Sequence, residues 1–193
     1  MPEHHNTDMR IELSDGGYFD PANPTAPSIQ VIAHSLARQC RFTGHSRLFY
    51  SVAEHSVLCS LLAEELEWCD PMEALMHDAH EAMISDLAAP WRRHVPDFRE
   101  CEKRCETALR EAYELPERMS GGCKSIDYLA LFIEAYFLLP SRGEGWADPL
   151  TQRVRALKMI KREGWQIRGL EPEQARNAFM QRYQALTRSF VRG

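Results

Sequence analysis

The chain has 193 residues, 44% apolar and 26% charged, with a formal net charge of −5 and a pI near 5.9. That length suits one domain around one sizeable core, and the composition excludes disordered and fibrous classes. The acidic balance excludes a general nucleic-acid binder, whose affinity would come from clustered Lys and Arg, but leaves room for a small anion at a local site.

Residues 1–27 read as an N-terminal arm packed on the domain. Within it, Asp15-Gly16-Gly17 between Arg10-Ile11-Glu12-Leu13 and Tyr18-Phe19 predicts a short hairpin or turn. Residues 28–193 read as a single all-α domain. Ser28 is suited to cap a helix running to about Gln39, with Ile29, Ile32, Ala33 and Leu36 as its buried stripe. The polar and aromatic stretch Arg41 to Tyr50 predicts a loop. Val52–Trp68 follows as a helix, with Val52, Leu58, Leu61, Leu62 and Leu66 on its apolar side. Asp70 as cap and Pro71 in the first turn open a helix over Pro71–Ile84.

Pro90 and Pro96 mark a connecting loop. Beyond it, Asp97–Tyr113 alternates charge with Phe98, Cys101, Cys105 and Leu109, as an amphipathic surface helix does. Gly121-Gly122 breaks the chain before Cys123–Leu139, which is apolar nearly all round and therefore expected near the centre of the bundle. Leu150–Arg162 and Glu171–Ser189, with Pro172 at a helix start, complete the helices. The longest apolar run, Leu129 to Leu139, is too short and too interrupted by Glu134 to span a bilayer. The start Met1-Pro2-Glu3-His4-His5 lacks a basic-then-apolar signal pattern, so a cytoplasmic protein with no membrane partner is expected. The six cysteines form no Cys-x-x-Cys pair and read as reduced core thiols, with Cys101 and Cys105 one helical turn apart on a buried face.

The chemistry concentrates in His77-Asp78 inside a predicted helix, His55 on the preceding helix, and Asp127 at the start of the later apolar one. A buried carboxylate is costly unless it is paired, hydrogen-bonded or metal-bound, and both aspartates fall in segments predicted to be largely buried. Two neutral imidazoles and two carboxylates satisfy a divalent ion while leaving positions for water, the composition of a catalytic rather than a closed structural site. A mixed N/O set admits Co, Mn, Zn, Ni, Fe or Mg.

Several pieces occur in order: Ala33-His34-Ser35-Leu36-Ala37-Arg38, Cys40-Arg41-Phe42-Thr43-Gly44-His45, and Phe49-Tyr50-Ser51-Val52-Ala53-Glu54-His55-Ser56. Met76-His77-Asp78-Ala79-His80-Glu81-Ala82, Ser85-Asp86-Leu87-Ala88-Ala89-Pro90 and Lys124-Ser125-Ile126-Asp127 continue the series. In these pieces the chain resembles the HD-domain phosphohydrolases, in particular the bacterial and phage 5′-deoxynucleotidases and deoxynucleoside triphosphate triphosphohydrolases, over roughly residues 29–139.

The resemblance implies a helical bundle in which His55, His77, Asp78 and Asp127 hold one divalent ion against the α-phosphate of a nucleotide. It implies that Glu81 handles the proton of water or leaving group, with Asp86 as a second proton-handling or metal-proximal carboxylate. Arg41 and Lys124 match phosphate-contacting positions, Arg92 or Arg93 would reach outer phosphates, and Phe42 would stack on base or sugar. His45 is either a substrate contact or a loop brace.

His34 competes with His55 as first ligand, and the Glu-His-Ser piece favours His55. His4, His5 and His94 are assigned no role. A dinuclear enzyme would add His80 and His94, but the mononuclear site is favoured because the Gly-rich motifs of the dinuclear diesterases are missing. Ala82 stands where some nucleotidases of this branch have a hydroxyl residue. With the extra arginines, this leans the expectation toward a dNTP triphosphohydrolase over a 5′-deoxynucleotidase acting on dNMPs. A nucleotide-sensing module is the non-enzymatic alternative. The expected partner is a small deoxynucleotide rather than a nucleic-acid polymer, and the protein is expected to be a homo-oligomer.

Overall fold

The N-terminal hairpin forms where the turn residues place it. Ile11–Glu12 (β1) pairs antiparallel with Tyr18–Phe19 (β2), Ile11 opposite Phe19, and Gly16 takes the turn at φ 83°. Phe19 is buried, and the following arm is held by the Tyr113 hydroxyl donating to the Pro27 carbonyl at 2.7 Å. The computed structural model describes residues 10–147 and 151–190. His4, His5 and the expected helix start at Leu150 lie outside the described residues.

The rest is helical, as expected for an all-α fold: α1 (Ile29–Leu36), α2 (Val52–Leu66), α3 (Pro71–Met76), α4 (Glu81–Ile84), α5 (Ala89–Arg92), α6 (Pro96–Ala112), α7 (Gly121–Leu138), α8 (Gln152–Glu163) and α9 (Pro172–Phe190). Local chemistry sets many of the boundaries. Ser28 accepts from the Val31 amide, Ser51 and Glu54 close a reciprocal capping box on α2, and Asp70 accepts from Met72 and Glu73 ahead of Pro71. Helix α1 stops short of Gln39, because its last amides close on Ala33 and Ser35 in a tight turn. Helix α2 ends two residues before Trp68, where Glu67 turns left-handed.

Packing makes α2 the hub. It lies against α3, α7 and α9, while α8 covers α7 and α9 covers α1. One core, around Ile32, Leu36, Leu75, Leu109 and Phe179, joins α1, α3, α6 and α9. A second, around Leu62, Ile126, Leu129, Phe132 and Ile133, joins α2, α7 and α8. With partners on several sides, α2 buries Ser56, Cys59 and Ser60 as well as its leucines, and Leu61, expected on its apolar side, is exposed. The cysteines divide similarly. Cys59, Cys105 and Cys123 are buried, Cys69 and Cys101 are half-buried and Cys40 is exposed, which corrects the expectation that all six are core thiols. Among the described residues no helix is long and apolar enough to cross a membrane.

Candidate metal centre

Three elements converge on one cluster: α2 brings His55, the α3–α4 connection brings His77 and Asp78, and α7 brings Asp127. The predicted continuous helix over Pro71–Ile84 is interrupted here. From Met76 on, the amides of Ala79, Glu81, Ala82 and Met83 bond to carbonyls three residues back, at 2.9–3.2 Å. Three residues per turn eclipse side chains at i and i+3. Glu81 is therefore aligned with Asp78 rather than with His77, and Asp78 is the charged neighbour that acts on it most strongly.

The distances suit one small ion. His55 Nε2 and His77 Nε2 stand 3.2 Å apart. Asp78 Oδ2 is 3.5 Å from the first and 3.1 Å from the second, and Asp127 Oδ1 is 3.2 Å and 3.8 Å from them. Donors about 2.0–2.2 Å from a common ion stand roughly 3–3.5 Å from one another, so the four atoms are already near ligand spacing. Each imidazole is also fixed from behind. His77 Nδ1 donates to the Ala74 carbonyl at 2.8 Å, and His55 Nδ1 donates to Glu134 Oε1 at 2.5 Å, leaving both Nε2 atoms for the cluster. Cys59 Sγ also lies close, at 3.6 Å and 3.8 Å from the two His55 nitrogens. Cys59 thus lies with His55, His77 and Asp127 among the groups whose ligand atoms all fall within 4.8 Å of one another.

Burial disfavours charge on all four groups, yet mutual attraction prevails. Both imidazoles are pushed up: burial and, for His55, Arg41 oppose their protons, but Cys59, Glu134 and Asp127 at His55, and Asp78 and Asp127 at His77, outweigh that. Asp78 and Asp127 are held low against their own burial by the two histidines. Without an ion the carboxylates thus hold protons on the imidazoles, and a divalent cation fits the place of those protons.

The cluster has an outer layer that the sequence reading missed. Glu134, noted there only as a break in an apolar run, is fully buried and accepts from His55, from Arg41 Nε at 3.1 Å and from the Tyr50 hydroxyl at 3.2 Å. The available signal was its spacing: seven residues after Asp127, two turns on, it shares that residue's face of α7. Gln39 is the other omission. Its side-chain amide donates to the Glu81 carbonyl and accepts from the Asp86 amide, both at 3.0 Å, clamping the two ends of α4. Glu134→Gln is expected to weaken ion binding about 10–100-fold, the usual cost of losing an outer partner of a ligand, with cooperative unfolding retained. Calorimetric titration of the ion-free protein checks this, and an unchanged affinity would deny Glu134 that role.

The remaining expected site residues are distributed unevenly. Glu81 is buried, and burial followed by Asp78 and Asp86 pushes its carboxyl well above the usual range. Its Oε1 accepts from Arg92 at 3.0 Å, while its Oε2 is buried with no partner. Asp86 is also pushed up by burial and lies 3.9 Å from Arg92. Arg92 further bonds the Leu87 carbonyl at 2.8 Å and Glu102 at 3.1 Å. Arg41 is likewise engaged, 3.0 Å from Glu134 and 3.9 Å from Asp78.

Phe42 lies under the Arg41 guanidinium at φ 55°, a conformation a bulky side chain rarely adopts. His45 is exposed in the same loop, and its amide closes on the Phe42 carbonyl. Lys124 is exposed one turn before Asp127, and Arg93 is exposed. His34 is half-buried beside Arg38, Arg176 and Glu173, away from the cluster. His80 turns toward Glu102 at 3.9 Å and His94 is exposed, so neither joins the gathered ligands.

The fold and the cluster define an all-helical chain with histidine and carboxylate groups that can bind a metal ion. The chain is 38% identical over 171 residues to the uncharacterized protein YfdR of Escherichia coli K12, covering 88% of this chain and 90% of YfdR, and it belongs to that protein's family. It is also similar to the uncharacterized protein RCAP_rcc00048 of Rhodobacter capsulatus, 29% identical over 196 residues, 92% of this chain and 95% of the relative. No protein-family model matches the chain.

Proposed function

We propose that this chain is a metal-dependent phosphohydrolase of the HD class acting on small deoxynucleotides. The observation that carries the reading is the meeting of four ligand atoms with a buried, raised carboxyl whose Oε2 has no partner. His55, His77, Asp78 and Asp127 would hold the ion, which supplies a nucleophilic water at neutral pH and offsets charge on the phosphoryl group. Arg92 occupies Glu81 Oε1, and Oε2 is buried with no partner, which leaves that oxygen to carry a proton in this reading. When the P–O5′ bond breaks, water oxygen joins phosphorus, the departing nucleoside oxygen takes a proton that Glu81 would give, and one proton of the water returns to the Glu81 carboxylate.

Substrate length separates two versions of this reading. The sequence favours a triphosphate through its surplus arginines. The engagement of Arg92 with Glu81, Asp86 and Glu102 favours the monophosphate. We therefore expect dNMPs to be hydrolysed to orthophosphate and deoxynucleoside, with dNTPs turned over poorly. Chromatography of products from a dNMP and dNTP panel with added Mn, Co or Zn tests this. Release of inorganic triphosphate would restore the longer substrate, and no hydrolysis of either with every ion would overturn the enzyme reading.

A further inference from the structure

A second group of ligating side chains lies one helical turn upstream of the first. Glu73 precedes His77 by four residues on the α3 segment, and Cys123 precedes Asp127 by four on α7. Cys69, in the connection between α2 and α3, joins them. The two sulfurs and a Glu73 oxygen all lie within 4.8 Å of one another. Cys123 and Glu73 are buried, and half-buried Cys69 leaves one side open to solvent.

The backbone is built around this meeting. A Cβ on Gly122 would stand 1.9 Å from the Trp68 carbonyl oxygen and 3.3 Å from Cys69 Cβ, so only glycine lets the start of α7 come this close to the Cys69 segment. Glu73 fastens the same junction, its Oε1 accepting from the Ser120 amide at 2.7 Å and its Oε2 from the Ser120 hydroxyl at 2.8 Å. Each oxygen takes one donor and keeps lone-pair capacity. The groups acting most strongly on the thiols are not cations. Burial and then Glu73 push Cys69 up to about 11, and burial, Cys69 and Glu73 push Cys123 up. Raised thiols suit a redox sensor poorly, whereas an ion that takes two thiolates and a carboxylate supplies the missing positive charge.

We propose that Cys69, Cys123 and Glu73 form a second, structural ion site for a thiophilic divalent cation of the zinc class, with water in the remaining position on the open Cys69 side. Both thiols give up their protons on binding, and nothing is oxidised or reduced. The ion would tie α3 to α7 one turn ahead of His77 and Asp127. The site does not depend on the proposed hydrolase reading.

Cadmium titration of the full chain under reducing conditions tests it, reading the ultraviolet sulfur-to-cadmium charge-transfer band. The band is expected in the wild type and in a His77→Ala/Asp78→Ala variant, where the first centre is crippled. It is expected to disappear in Cys69→Ser, with apparent cadmium affinity at this site down at least about 100-fold, beyond what an outer-partner loss causes. Because Cys123 is buried, the half-buried Cys69→Ser is the deciding variant, with helicity checked by circular dichroism. Absence of the band in the wild type, its survival in Cys69→Ser, or its loss only in the His77→Ala/Asp78→Ala protein would overturn the site.

Discussion

Replacing His77 or Asp78 by alanine is expected to abolish stoichiometric ion binding at the His/Asp centre and hydrolysis together, while the helical circular dichroism signal is kept. Each residue supplies one of four ligand atoms standing 3.1–3.8 Å from their neighbours, so removal breaks the set rather than loosening it. Helicity survives because the helices are carried by the two apolar cores, which these side chains do not fill. The same centre predicts a pH signature. His55 and His77 are raised above their ordinary 6.5, so in the ion-free protein their protonated forms stabilise the fold below that pH, and the contribution is lost as pH rises through the raised values. Asp78 and Asp127 are depressed below 3.8, so their contribution is present above that value and lost as pH falls through the depressed values. An ion must displace the imidazole protons, so its apparent affinity should climb as pH rises through the raised values of His55 and His77. Elemental analysis, titration calorimetry and phosphate release check these points. Full metal content with normal turnover in both variants would remove the assignment.

What the sequence made legible was whatever local chemistry decides. The caps at Ser28, Ser51 and Asp70, the turn at Asp15-Gly16-Gly17 and the apolar periods of α2 and α7 need no distant partner, and the structure has elements at each. The four proposed ligands were legible because their pattern of residue types and order is specific, and the fold brings their side chains together. Features that depend on tertiary partners were not. The tightening at His77–His80 breaks no helical dihedral preference, since His77 itself sits at φ −61° and ψ −37°, and only the hydrogen bonds shift register. Exposure of Leu61 follows from which neighbours surround α2, not from its own stripe. The engagement of Arg41 by Glu134 spans 93 residues of sequence and that of Arg92 by Glu102 joins α5 to α6, so motif spacing could suggest cations near phosphate without revealing their carboxylate partners.

Glu81→Gln is expected to keep the ion and lose turnover by about 10²–10⁴-fold, the range that general acid–base catalysis supplies. The amide preserves the shape of a buried side chain, and Glu81 is not one of the four proposed ligands, so ion affinity should change little. What it removes is the dissociable proton. Burial, Asp78 and Asp86 favour the protonated carboxyl while Arg41 and Arg92 work against it, and the net shift is upward. With glutamine there, the rate should also lose whatever fall it shows as pH rises through that raised value, because no titrating carboxyl remains at that position. The alternative is that Glu81 serves only to hold Arg92 through their 3.0 Å bond. Glutamine can still accept from a guanidinium through its amide oxygen, so that role predicts a largely active variant with an unchanged pH profile. Single-turnover rates across a pH series, with metal content measured on the same samples, separate the two. Near-normal rates, or loss of the ion itself, would show that Glu81 is not the proton donor proposed.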